Sequence, residues 1–150
     1  MKTLILLPFM LAFSIPAIAS STMYEGQERD DCFSLYPHGD TAANCIYDKW
    51  QQSNKNIDTL VKNTARKIIN NQSYIDPFDS NSDKTKADVY KERFLQSQKT
   101  WGNYKKTYCL SIVTPVDTDG FDYPLLLEQC EINMNKRRME EINMMDITSD

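Results

Sequence analysis

A single histidine stands in 150 residues, and no Cys-x-x-C pair or close Cys/His cluster occurs anywhere in the chain. The first scarcity leaves little from which to build a His-dependent hydrolase, and the second argues against a zinc enzyme. Basic residues are also short, 17 against 21 acidic, for a formal charge of −4. Nucleic-acid binding, which needs a basic face to neutralise phosphates, is not expected. With 41% hydrophobic and 25% charged residues, four Gly and six Pro, the chain is not collagen-like, low-complexity or wholly disordered. Its length suits one domain.

What the chain does have begins at the N-terminus. Met1-Lys2-Thr3 is a short positive start, residues 4 to 16 are almost wholly apolar, and Ala17-Ile18-Ala19 reads as a small-x-small cleavage signal. The apolar stretch carries two prolines and is shorter than the roughly 20 residues a membrane span needs. Residues 1–19 are therefore expected to be a signal peptide, with no stable membrane insertion after its removal. The protein is expected in the periplasm or secreted.

Export changes the meaning of Cys32, Cys45, Cys109 and Cys130. In an oxidising compartment they read as two structural disulfides rather than as metal or redox groups.

Residues 20–31 are polar and unpatterned and read as a mobile arm. From about Thr41 the apolar spacing turns helical, through Ile46, Trp50, Ser53, Ile57, Leu60, Val61, Ala65 and Ile68, ending near Asn70-Asn71. Asp40 or Thr41 suits the N-cap. A loop over 72–83 follows, then a second helix from about Thr85 with the stripe Ala87, Tyr90, Phe94, Leu95, Gln98, Trp101, Tyr104 and Tyr108. Gly102 weakens that helix by about 1 kcal/mol relative to Ala, which suggests a close packing contact or simply a tolerated cost. After a turn-rich stretch over 113–122, Pro124 fits the first turn of a third helix bearing Leu126, Leu127, Cys130, Met134, Arg138, Ile142 and Met145, with 147–150 frayed.

No segment alternates as a strand. The fold predicted is all-α, a small up-down bundle of three main helices over 32–146, stapled by two disulfides. Up-down topology puts Cys45, Cys109 and Cys130 at one end, with Cys32 on the loop leading in. That placement leaves three pairings open. Loop closure favours the local pairs, Cys32 with Cys45 and Cys109 with Cys130, each closing a loop worth about 3 kcal/mol in the chain-entropy model.

The run Gln98-x-x-Trp101-x-x-Tyr104-x-x-x-x-Cys109, followed by Cys130 and Arg138, resembles the LprI-type lysozyme-inhibitor family of exported bacterial proteins. Cys32, Cys45, Trp50, Ile57, Leu60 and Val61 match the family's first half, so the resemblance runs from about Cys32 to Ile142. It departs where the family usually has Arg after the Tyr, here Lys105, and Asp-x-x-Leu-Asn in the first helix, here Asn54-Lys55-Asn56-Ile57-Asp58. A Lys lacks the bidentate fork of Arg, so an ion pair there would be looser. The resemblance implies an exported binding protein, a lysozyme inhibitor that blocks a muramidase cleft. An immunity-type or envelope-maintenance factor, binding another exported toxin or a cell-wall component, is the alternative.

Gln98, Trp101, Tyr104 and Arg138 are expected at a helix-helix seam, as an aromatic core with its Gln and Arg hydrogen-bonded internally or snorkelling to the rim. Tyr36-Pro37-His38-Gly39-Asp40 lies within the loop that a Cys32–Cys45 bridge would close. Its chemistry is similar to the disulfide-held Pro-His-Asp loop of Ivy-type lysozyme inhibitors, and Tyr36, His38 and Asp40 are candidate partner contacts. An exposed turn with an incidental His is the plainer reading. Asp117, Asp119 and Asp122 surround Gly120. They lack the Glu that would complete a calcium loop, and read as a solvated acidic turn that could steer a basic partner. Neither a metal nor a cofactor is expected, and no nucleophile–base pair marks an enzyme.

Overall fold

The apolar stripe from Ile46 to Ile68 forms one helix of 32 residues, Gly39–Asn70, about 48 Å long. The structure, a computed structural model, describes residues 22–36, 38–145 and 147. The signal peptide expected over 1–19 lies outside them. In chain order the helices are α1 (Gln27–Leu35), α2 (Gly39–Asn70), α3 (Lys86–Val113) and α4 (Asp122–Asn143). No strand occurs among the described residues; one isolated antiparallel bridge joins Pro77 to Thr85.

Local side-chain capping is seen at one helix start, that of α3. Thr85 and Asp88 form a reciprocal capping box at the start of α3. His38, rather than Asp40 or Thr41, is the N-cap of α2 and makes no side-chain cap bond. Asp40 instead occupies the first turn, where a negative charge suits the helix dipole. Pro124 sits in the first turn of α4, where its missing N–H costs nothing.

Contacts across the bundle run in opposite order between α2 and α3 and in the same order between α2 and α4. Asn54 meets Lys105, while Trp50 meets Glu131 and Ser53 meets Asn135. The topology is up-down-up. Both bridges are the local ones, Cys32–Cys45 and Cys109–Cys130, and both lie toward the end where α2 and α4 begin and α3 finishes. Among the described residues three apolar clusters fill the interior. Cys32, Ile46 and Leu125 pack at the stapled end, Cys109, Cys130 and Met134 next to them, and Ala65, Ile68, Phe94 and Ile142 at the far end.

Several positions differ from the pattern reading. Residues 27–31, expected in an arm, belong to α1, which packs on α2 and α4. Gly26 offers no capping side chain, so Gln129 of α4 supplies the acceptor: its Oε1 takes the N–H of Arg29 at 2.9 Å. Such a cap is invisible in local sequence because its two halves are 100 residues apart. Leu95 and Tyr104, placed on the inner stripe of α3, are 40% and 55% exposed. Ile147, expected in the frayed tail, packs against the far-end cluster. Gly102 has no atom within 4 Å of where a Cβ would stand, so it serves no packing contact.

Candidate functional site

The stapled end is built from two short connections. One is Tyr36–His38 between α1 and α2; the other runs from the end of α3 to Phe121. They touch: a Cβ on Gly39 would stand 3.0 Å from Cζ of Phe121. That contact sets the His38 loop beside the acidic turn. Tyr36, His38 and Asp40 are all exposed, and Pro37 lies outside the described residues.

The three aspartates of the turn have different roles. Asp117 turns inward on its own loop, accepting the N–H of Asp119 at Oδ1 (3.2 Å) and that of Gly120 at its carbonyl (2.9 Å). Asp122 opens α4 and lies 3.8 Å from Arg29 Nη2. Asp119 is exposed and makes no ion pair among the described residues. Arg29 in turn lies over the Phe33 ring at 5.4 Å. Two apolar residues that pattern reading passed over complete this end, Leu35 at 70% exposed and Phe121 at 47%. A lone aromatic inside a run of turn formers was the available sign of Phe121. This end therefore carries exposed Leu35, Tyr36 and Phe121 together with exposed Asp40, Asp119 and Asp122. Such a composition is characteristic of protein-binding surfaces.

The motif residues lie elsewhere. Arg138 Nε donates to Gln98 Oε1 at 3.1 Å and Nη2 to Ser97 Oγ at 3.1 Å, while Nη1 pairs with Glu141 at 2.6 Å. Trp101 is half-buried against the Cys109–Cys130 cluster. Tyr104 does not enter the seam as expected; it stacks on Tyr108 at the surface, ring centroids 5.5 Å apart. Trp101 and Tyr108, one turn to either side, both pack on the Cys109–Cys130 cluster, so an apolar stripe drawn through all three rings reads Tyr104 as inward although it lies at the exposed edge of that face. An open hollow of about 900 Å³ beside this face is lined in part by Arg93, Trp101, Tyr104 and Arg138. Its Lys84 and Arg138 are already paired, with Glu92 and Glu141.

Between the apolar clusters lies a polar layer not seen in the sequence pattern. Lys105 Nζ donates to Asn54 Oδ1 (3.2 Å) and Asn135 Oδ1 (3.1 Å), and stands 3.5 Å from Glu131 Oε2. The fully buried Asn135 donates to Ser53 Oγ and Asn54 Oδ1. Trp50 donates its indole N–H to Glu131 at 2.8 Å, and Lys105 lies over Trp101 at 5.3 Å. The acidic partner that Asn54 cannot provide is therefore supplied by Glu131. Next to it, burial and the charge of Glu131 push the Glu128 carboxyl up to about 7.

Among the described residues no group of three or more His, Cys, Asp or Glu is placed to hold a metal ion. None of the described helices is long and apolar enough to cross a membrane. The family model described as "Lysozyme inhibitor LprI" matches residues 37–142. No curated protein and no solved structure matches the chain.

Proposed function

The chain belongs to the LprI lysozyme-inhibitor family, and from that premise we propose that it is an exported inhibitor that docks its stapled end into a muramidase cleft. The family is one of inhibitors and not of enzymes, and the two disulfides suit an oxidising compartment, periplasmic or extracellular. The observation that carries the choice of surface is the Gly39–Phe121 contact, which joins the His38 loop and the acidic turn into one face.

Physical reasons favour this face. Each disulfide restrains a flank of it, so less conformational entropy is lost on docking than a free loop would lose. Tyr36 and Phe121 offer rigid aromatic area of the kind that dominates interface energetics. Asp40, Asp119 and Asp122 would speed encounter with a basic enzyme.

A turbidity assay on purified mature protein against lysozymes of several types tests the reading. Inhibition is expected, with a loss of about tenfold or more for Phe121→Ala and a smaller one for His38→Ala. Full potency in both variants would remove this face from the mechanism. No inhibition of any lysozyme, with capture of another exported protein, would favour an immunity-type role instead.

A further inference from the structure

From the Gly39–Phe121 contact the seam between α2 and α4 continues into a small cavity of about 180 Å³, lined by Tyr47, Trp50, Pro124, Leu127, Glu128 and Glu131. Two aromatic rings from α2 form one wall, Tyr47 and Trp50, with centroids 5.5 Å apart and planes tilted by 35°. Two carboxylates from α4, Glu128 and Glu131, line the cavity beside them. Pro124 is one helical turn from Phe121, so the cavity adjoins the proposed docking face.

The charges within it are unequal. Glu131 is matched by Lys105 at 3.5 Å and by the Trp50 indole N–H. Glu128 makes no ion pair or hydrogen bond among the described residues, and its carboxyl holds a proton up to about pH 7 because it is partly buried beside Glu131. Once that proton is lost, the cavity is one cation short. Aromatic faces and carboxylates both attract ammonium and guanidinium groups. A neutral guest would leave Glu128 desolvated and unpaired. The volume lies below the ~300–1,000 Å³ of sites for drug-sized ligands and suits one long side chain.

We propose that this cavity receives a Lys or Arg side chain of the docked protein partner, held between the Tyr47 and Trp50 rings and the Glu128 carboxylate. The identity of that partner rests on the inhibitor reading; the cation preference rests on the cavity alone. Insertion of a cation would draw the proton off Glu128 and anchor the partner beside the Phe121 contact.

The test uses N-acetyl-arginine amide and its neutral isostere N-acetyl-citrulline amide, titrated into the mature protein and followed by NMR at the Trp50 indole N–H and the Glu128 carboxyl. The arginine probe is expected to saturate the Trp50 shift and lower the Glu128 midpoint, and the citrulline probe to do neither. Glu128→Gln should weaken the arginine probe about tenfold, and Tyr47→Ala several-fold, with unchanged melting cooperativity in both. The proposal also expects Glu128→Gln to weaken lysozyme inhibition by a similar factor. An equal response to citrulline, undiminished arginine binding in Glu128→Gln, or full inhibitory potency in that variant would overturn it. Arginine binding in a wild-type protein that inhibits no lysozyme would instead remove the inhibitor reading and leave the cavity a cation site.

Discussion

Gln129 on α4 occupies the space that a side chain on Gly26 would need: a Cβ there would stand 2.8 Å from Gln129 Cδ. The amide is fully buried and fully used, accepting from Arg29 N and donating to Glu28 Oε2 at 3.1 Å and Asn133 Oδ1 at 3.2 Å. One side chain thus caps α1 and fastens it to α4.

Gly26→Ala should displace that amide and destabilise α1 by about 2 kcal/mol, and Gln129→Ala by a similar amount through the unpaired Arg29 N–H. Because Cys32–Cys45 keeps α1 tethered, the loss is expected to be local. Hydrogen exchange should speed up at α1 amides while the far-end cluster around Phe94 stays protected. Gly102→Ala, with open space around its Cβ, should stabilise by about 0.5–1 kcal/mol in urea unfolding.

Lys105 is the only cation in contact with Glu131 among the described salt bridges, and the side chains are 13% and 15% exposed. Lys105→Met should cost about 3 kcal/mol, since it strands a carboxylate in a mostly dry layer. Adding Glu131→Gln should recover a good part of that loss. A double-mutant cycle by urea unfolding reads the coupling; additive costs would mean that the pair is not energetically linked.

Glu128 links stability to pH. Its carboxyl normally titrates at 4.5 and in the folded chain at about 7, so between those values the native state holds a proton that the unfolded state has lost. Stability contributed by this group is present below pH 4.5, falls as pH rises to about 7, and is level above it. Facing groups are Glu131 and Tyr47, with Lys105 behind Glu131. At pH 8 Glu128→Gln should be more stable than the natural chain by about 1 kcal/mol, reduced from the full linkage value because the carboxyl is half solvated. At pH 4 the two should unfold alike. An offset independent of pH would show that the carboxyl titrates normally.

Much of the fold was legible from the chain. Regular apolar spacing made α2 nearly complete in advance, since Ile46, Ile57, Ala65 and Ile68 recur at helical steps and are buried as the period requires. Short turn-rich connections made the bundle up-down, and the short loops within it favoured the two disulfides that are present. α1 was not legible because Gln-Glu-Arg-Asp-Asp-Cys-Phe-Ser-Leu has no apolar stripe. Its support comes from Gln129 and from the Lys136–Glu28 pair at 2.6 Å.

The candidate site divides the same way. Tyr36, His38, Asp117 and Asp119 could be marked as exposed loop residues from turn chemistry alone, whereas Asp40 and Asp122 lie in the first turns of α2 and α4; the family motif could be read from spacing. That His38 and the acidic turn share one face, that Phe121 joins them, and that Lys105 finds Glu131 were decided only by tertiary structure. Helix formation depends on neighbours within a turn, so it is written in local order. Pairing between polar groups depends on which helices meet at what height, and Trp50 reaches Glu131 across 81 positions of sequence. In this protein the chain by itself determined the three long helices and favoured the local disulfides, whereas packing formed α1, decided which charges were matched and left Glu128 without a partner among the described residues.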